Sequence, residues 1–282
     1  MIDWPASLVR EIGRRRAFVF LGAGVSASAI HTDGDAPQTW LQFMNMASQL
    51  ITDNILKDEV EELIGQKKYL LALQAIKNSA NPAEYDALMN QSFNNPKFKA
   101  SKLHEHILDL DLEIVVTTNF DKIYESYCHH TANDGYRVLT YKSEDLGDLL
   151  RSDTRLIIKA HGCINDSRSM IFTKAQYHSA KKNHPQFYEL LKAIFLTHTC
   201  VFIGCSMDDP DILLALEEVK VTSSSTFPHY VITKKDANSE IAKNDWNETY
   251  NIKALEYGPN HTDLYADLKN LNDRVAEFRA VY

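Results

Sequence analysis

Four places in the sequence set small or hydrogen-bonding residues directly after an apolar run, and these are where chemistry could be done. The first is Phe18-Val19-Phe20-Leu21 followed by Gly22-Ala23-Gly24-Val25-Ser26; the second is Ile114-Val115-Val116 followed by Thr117-Thr118-Asn119-Phe120-Asp121. The third is Leu156-Ile157-Ile158-Lys159 followed by Ala160-His161-Gly162, and the fourth is Val201-Phe202-Ile203 followed by Gly204-Cys205-Ser206-Met207-Asp208-Asp209-Pro210. A lone histidine is usually structural, but at a strand tip His161 can present its imidazole to a bound ligand as a general base. Gly22-Ala23-Gly24 lets the backbone approach a ligand, and free N–H groups at a following helix start would favour a diphosphate. A tight turn with no ligand is the alternative, since this is not a full G-x-G-x-x-G. No acidic residue follows at the spacing of a dehydrogenase; Asp33 and Asp35 come too early, in a loop-like stretch.

Thr118, Asn119 and Asp121 can equally start a helix, because Asn and Asp satisfy orphan N–H groups there. The two roles are compatible: Asp121 can cap while Asn119 faces a ligand. Gly204 and Ser206 repeat the small, polar theme, and Asp209-Pro210 reads as an N-cap with proline at the first helical position.

The elements that must position these groups are short β-branched and aromatic runs alternating with helical spacing, the pattern of β-α-β units around a parallel sheet. Strands are expected at Ala17 to Leu21, Glu113 to Thr117, Arg155 to Ala160, Cys200 to Ile203, His229 to Thr233 and Asn251 to Glu256. Helices are expected from Trp40 to about Leu56, with Leu41, Met44, Ala47, Ser48 and Ile51 on one face, and near Lys57 to Lys77, Lys99 to Leu110, Asp121 to His129, Pro185 to Leu196, Pro210 to Val219 and Leu264 to Phe278. The fold class is therefore α/β, a Rossmann-like parallel sheet with helices on both faces. Residues 58–99 show no strand and read as a helical insertion beside the sheet, while 221–227 read as a polar loop. No linker or repeat divides the chain, so residues 1–282 are expected to form one domain. In an open parallel sheet, ligands bind outside the C-terminal strand ends, so the four clusters should converge.

With 44% hydrophobic and 24% charged residues the composition is that of a folded globular chain. A net charge of −8 offers no footprint for nucleic acid. No apolar run approaches the length of a membrane span and no targeting segment opens the sequence, so the expectation is a cytoplasmic protein. None of Cys128, Cys163, Cys200 and Cys205 forms a C-x-x-C pair, which reads as free thiols rather than a metal knuckle.

In this order the four clusters resemble the sirtuin-like family: Gly22-Ala23-Gly24-Val25-Ser26 is similar to its G-A-G-x-S, Thr117 to Asp121 to its T-x-N-x-D, Ala160-His161-Gly162 to its catalytic H-G, and Gly204-Cys205-Ser206 to its G-[TY]-S. The stretch from Tyr250 to Tyr257 sits where that family closes over the adenine side. Two departures set the branch. The double C-x-x-C zinc module of the protein deacylases is missing, and Ala36-Pro37-Gln38-Thr39-Trp40 stands where they carry G-I-P-D-F-R. That P-x-x-W form and Gly204 to Pro210 resemble bacterial sirtuin-like domains that hydrolyse NAD as effectors of antiviral defence, by abortive infection.

The resemblance implies an NAD+ glycohydrolase that needs no metal. It casts Asn119 and His161 as catalytic, the first holding ribose hydroxyls or water and the second acting as base. It sets Gly22, Ala23, Gly24 and Ser26 at the diphosphate, and Thr118, Asp121, Gly204, Ser206, Asp209 and Tyr257 around the riboses and adenine. The readings in competition are an NAD-dependent deacylase and a non-catalytic subunit sensing NAD or ADP-ribose. Because unchecked NAD loss would kill the host, the resemblance also implies that activity is held off until a trigger arrives, with regulation in self-assembly or in a partner such as a helicase-like ATPase, an Argonaute-type protein or another sensor, so that the chain acts only as a homo-oligomer or in such a complex. A physical motive for assembly lies in Leu63, Ile64, Tyr69, Leu70, Leu71, Leu73 and Ile76, more apolar residues than one helix buries, unless the segment folds back on itself as a helical pair.

Overall fold

The computed structural model describes residues 1–31, 37–94, 97–132, 135–207, 209–222 and 227–281, with the side chains of 210 and 211 left aside. The expectations for Asp33, Asp35, Ala36, Asp208 and the centre of the 221–227 loop fall outside them. The chain begins with α1 (Ala6–Gly13), β1 (Ala17–Leu21), the short α2 (Ala23–Ala27) and β2 (Ile30–His31). A helical stretch follows, of α3 (Trp40–Ser48), α4 (Asn54–Gly65), α5 (Tyr69–Ser79) and α6 (Pro82–Phe93), then β3 (Phe98–Lys99) and α7 (Lys102–Asp109). The middle comprises β4 (Ile114–Thr117), α8 (Ile123–Thr131), β5 (Arg137–Thr140), α9 (Leu146–Leu149), β6 (Leu156–Lys159), a 3-10 segment Ile164–Ser169, α10 (Lys174–Asn183) and α11 (Pro185–Thr197). The last third contains β7 (Thr199–Ile203), α12 (Pro210–Thr222), β8 (His229–Lys234), α13 (Glu240–Tyr250), β9 (Ile252–Tyr257) and α14 (Asp263–Val281).

Seven strands form one sheet in the order β5-β6-β4-β1-β7-β8-β9, and every pairing in it is parallel. Every residue of β1, β4, β6 and β7 is buried, which is why these strands read as unbroken apolar runs rather than alternating ones. Alternation reappears across the sheet. Val19, Leu21, Val115, Ile157 and Val201 join α1, α7 and α14 in one core, whereas Phe18, Phe20, Val116, Ile158 and Phe202 join α11 and α12 in another.

A third core belongs to the helical stretch. Phe43, Met44, Val60, Ile64, Leu73, Ile76 and Met89 pack together, and with them Phe120, Cys163, Ile164, Met170 and Phe172 from the loops after β4 and β6. Phe120 and Phe172 stack with ring centroids 4.3 Å apart. The helices thus hold in place the two loops that carry Asn119 and His161.

Several boundaries differ from the sequence pattern, each for a local reason. The helix expected from Trp40 to Leu56 stops at Ser48, and α4 starts afresh where Asp53 Oδ1 accepts from Ile55 N–H at 2.9 Å. Leu41, expected on its buried face, is 49% exposed. The helix expected over 57–77 breaks after Gly65, where Lys67 adopts φ +58°. Residues 58–99 hold parts of three helices and one strand that the pattern does not foresee, since β3 pairs antiparallel with β2. Of the apolar residues cited as a motive for assembly, Ile64, Leu73 and Ile76 are buried and Leu71 is 55% exposed. The segment thus folds back on itself and buries much of this surface, with Leu63, Tyr69 and Leu70 left half-buried and Leu71 exposed. Strand β5 also escapes the pattern, because an edge strand with an exposed Arg137 is not continuously apolar.

Candidate functional site

Strands β6, β4, β1 and β7 are consecutive neighbours in the sheet. The four polar clusters are therefore side by side along one edge of the fold, although as much as 87 residues separate the first from the second in sequence. From β1 the chain moves outward to β4 on one side and later returns to β7 on the other, so these strand ends lie at a topological switch point, where open α/β sheets bind ligands.

The first two clusters are tied together by one network. Thr117 Oγ1 donates to Leu21 O at 2.8 Å and accepts from Asn119 N–H at 3.0 Å. The Asn119 side-chain amide donates to Gly22 O at 2.8 Å and to Ser26 Oγ at 2.9 Å, and Ser26 Oγ donates to Asp121 Oδ2 at 2.5 Å. The other oxygen of Asp121 accepts from Ile123 N–H at 3.0 Å and starts α8. Lys122, not Asp121, occupies the N-cap position of α8, so Asp121 stands one residue before it, holding the N–H of Ile123 and also fixing Ser26. Asn119 spends its two amide protons on the glycine loop, so its amide oxygen is the atom outside these bonds.

The glycine loop is set by the fourth cluster. Gly22 N–H donates to Ile203 O and Gly24 N–H to Gly204 O, both at 2.9 Å, so these donors are not the free groups that the sequence suggests. A Cβ on Gly22 would lie 2.4 Å from Gly204 O, one on Gly24 would lie 2.9 Å from Gly204 Cα, and Gly204 itself adopts φ +68°. Glycine is needed here for backbone packing between loops. Ala23, Gly24 and Ser206 are the exposed members of this group, whereas Thr118, Asn119, Ser26 and Gly204 are half-buried. Gly24→Val is accordingly expected to destabilise the fold by about 1–3 kcal/mol through overpacking and to displace the Gly204 loop. Thermal unfolding checks the first effect; a variant with unchanged melting would refute the packing account.

His161 lies just beyond β6 and is buried, 6% exposed. Its Nε2 is 3.3 Å from Asp209 Oδ2 and its Nδ1 is 3.5 Å from the Tyr177 hydroxyl, which donates to the same Asp209 oxygen at 3.2 Å. The Tyr177 ring meets the imidazole edge-on at 5.0 Å. Asp209 uses its second oxygen to accept from Ile212 N–H at 3.1 Å, so it caps α12 as the Asp-Pro pair suggests. An imidazole held between a carboxylate and a phenol has a fixed ring orientation, and a proton it takes up has a negative partner. The Gly162 that follows has φ +87°, and a Cβ there would lie 2.5 Å from Ser169 O.

Other histidines are built differently. His104 Nδ1 accepts from Ser101 N–H and His229 Nδ1 from Cys200 N–H, and burial pushes each imidazole down to about 4. They are neutral core acceptors. Tyr257 closes β9, two strands beyond β7, and its hydroxyl bonds His261 Nδ1 at 2.7 Å. It is not bonded to any other member of the site.

Two contributors escape the sequence reading. Tyr177 lies on α10, in a polar segment with no strand signal to mark it. Lys159 is 1% exposed and donates to Phe120 O, Asp121 O and Glu125 Oε2; a lysine ending an otherwise apolar strand was the available signal. Of the four thiols, Cys128, Cys163 and Cys200 are buried and Cys205 is half-buried, its Sγ donating toward Phe20 O and Ile203 O. Among the described residues no helix is long and apolar enough to cross a membrane.

Fold and site together define a parallel α/β protein that presents an Asn and a carboxylate-paired His at the switch point of its sheet. The chain matches the SIR2-like domain over residues 113–255, about half of its length, and it belongs to that family. It is 26% identical over 239 residues to defense-associated sirtuin 2 of Bacillus subtilis, covering 80% of this chain and 22% of that protein. It is 25% identical over 232 residues to the NAD(+) hydrolase ThsA of Enterococcus faecium, covering 79% of this chain and 44% of the relative. With the NAD(+) hydrolase ThsA of Acinetobacter baumannii it shares 22% identity over 258 residues, 91% of this chain and 49% of the other. The chain thus spans between about a fifth and a half of the length of these curated relatives.

Proposed function

We propose that this chain binds NAD+ and hydrolyses its bond to nicotinamide, as a cytoplasmic effector of antiviral defence. The observation that carries the reading is the adjacency of the Asn119 and His161 strand ends, beside the exposed Ala23-Gly24 backbone, in a family whose relatives include proteins named NAD(+) hydrolase.

In this reading the dinucleotide lies across the glycine loop, its diphosphate toward Gly22, Ala23, Gly24 and Ser26. Thr118, Asp121, Gly204, Ser206 and Asp209 surround the riboses. Tyr257 is the outermost member, toward adenine. The bond between ribose C1′ and the pyridinium nitrogen breaks, and its electron pair leaves with nicotinamide, which departs neutral. Since the leaving group carries its own positive charge, no strong acid is required. Asn119, oriented by its bonds to Gly22 and Ser26, directs its amide oxygen to a ribose hydroxyl or to the attacking water. Water oxygen bonds to C1′, and His161 accepts the proton released, with Asp209 countering the imidazolium. Burial of His161 fits a reaction that must exclude all but one water.

Residues 1–282 are read as one functional unit, with the helical stretch bracing the Asn119 and His161 loops. Control of so destructive an activity is assigned to self-assembly or to a partner protein, either of which switches the chain on. Light scattering over a concentration series, run beside an NAD-cleavage assay, tests this: activity should rise with assembly or with added partner, and a fully active monomer would refute it. The cleavage reading itself is tested by nicotinamide release from NAD+.

A further inference from the structure

We propose that Lys159 is a positioning residue that binds the Asn119 loop to the His161 strand, and so sets the separation of the two groups in the reaction, without touching substrate. The inference rests on the reading above for its kinetic arm only.

Lys159 is the last residue of β6, two positions before His161, and pairs in register with Thr117 at the end of β4. Its side chain is 1% exposed, among the largest fully buried ones in the protein. An ammonium has three protons, and here each has an acceptor: Phe120 O at 3.3 Å, Asp121 O, and Glu125 Oε2 at 3.1 Å. Phe120 and Asp121 directly follow Asn119, and Glu125 lies in the first turn of α8 with its side chain 10% exposed. One cation therefore bridges the strand that carries the base and both the loop and the helix that follow the asparagine.

Stability alone does not call for this charged pair. Burying a charged pair costs desolvation that attraction often only balances, and replacing the whole pair with apolar side chains is often neutral for stability. What an apolar substitute cannot do is donate to the two loop carbonyls. With no donor, those carbonyls must find water or move, and Asn119 moves with them. Sub-ångström misplacement of a reacting group is enough to matter in a site whose work is orientation.

The test compares three variants of the full chain with wild type. Lys159→Met leaves Glu125 buried without its cation and is expected to lower the melting temperature and activity together. Lys159→Met with Glu125→Met removes both charges and separates the two effects. Its melting should return toward wild type, while kcat for nicotinamide release falls by about tenfold to a hundredfold and KM for NAD+ changes little. Amide hydrogen exchange at residues 119–122 should also quicken in it. Glu125→Gln keeps the ammonium on both carbonyls and should hold kcat within about threefold of wild type. A well-folded double variant with wild-type kcat, or with unchanged exchange at 119–122, would overturn the proposal. Should that variant not fold, Lys159→Gln, whose amide retains a donor, takes its place: partial kcat and partly quickened exchange support positioning, and wild-type values of both overturn it. If wild type releases no nicotinamide, the functional reading fails and the exchange measurement alone decides the role of Lys159.

Discussion

Replacing His161 with alanine is expected to lower nicotinamide release from NAD+ by about 10²- to 10⁴-fold, the usual contribution of a positioned general base. The imidazole lies against Asp209 Oδ2 at 3.3 Å, with Tyr177 closing the other side, so a proton passed to it would meet a carboxylate. NAD+ affinity should change little, because the glycine loop and its partners around Gly204 are untouched. Since the ring is buried, truncation removes packing against Tyr177 and is expected to cost roughly 0.5–3 kcal/mol. Thermal unfolding must therefore accompany the assay, and His161→Gln, which refills part of the space without restoring a base, should be as inactive as alanine. Activity within a few-fold of wild type in either folded variant would remove His161 from the reaction.

The second large effect is expected at Asp209. Its two oxygens do separate jobs, one on the His161 ring and one on Ile212 N–H at the start of α12. Asparagine caps helices as well as aspartate, so Asp209→Asn with its amide oxygen on Ile212 N–H keeps the second job, while it removes the negative charge facing the imidazole and the acceptor for the Tyr177 hydroxyl. By analogy with carboxylate-oriented histidines, kcat should drop by about tenfold to a thousandfold while the melting temperature and KM for NAD+ stay near wild type. Asp209→Ala should lose the same activity and in addition about 1 kcal/mol of stability from the missing cap. An active Asp209→Asn enzyme would show that the pair is only structural.

These two residues also show what the sequence makes legible. His161 announces itself because an apolar run ends on it and glycine follows, and the structure places it where that pattern requires. Asp209 is legible only as a helix cap, since its contact to His161 spans 48 positions and joins strands that are not neighbours. Tyr177 is invisible for the same reason: nothing local marks which face of α10 meets the imidazole. Strand positions β1, β4, β6 and β7 are readable because burial on both faces demands continuous apolar runs. The edge strand β5 and the breaks inside the helical stretch are not, because they follow from one-sided pairing and from single residues such as Lys67 and Asp53. The glycine loop is the instructive intermediate case. Its pattern points to a backbone that must come close to something, and in the structure part of that something is the Gly204 loop itself.

Incubating the pure chain with NAD+ over a concentration series and quantifying nicotinamide by chromatography, with His161→Ala alongside, tests the central claim most directly. The account predicts nicotinamide release from wild type, in its assembled species or with added partner, and none above background from the variant. Intact NAD+ in every species that binds it, or equal release from wild type and His161→Ala, would contradict it.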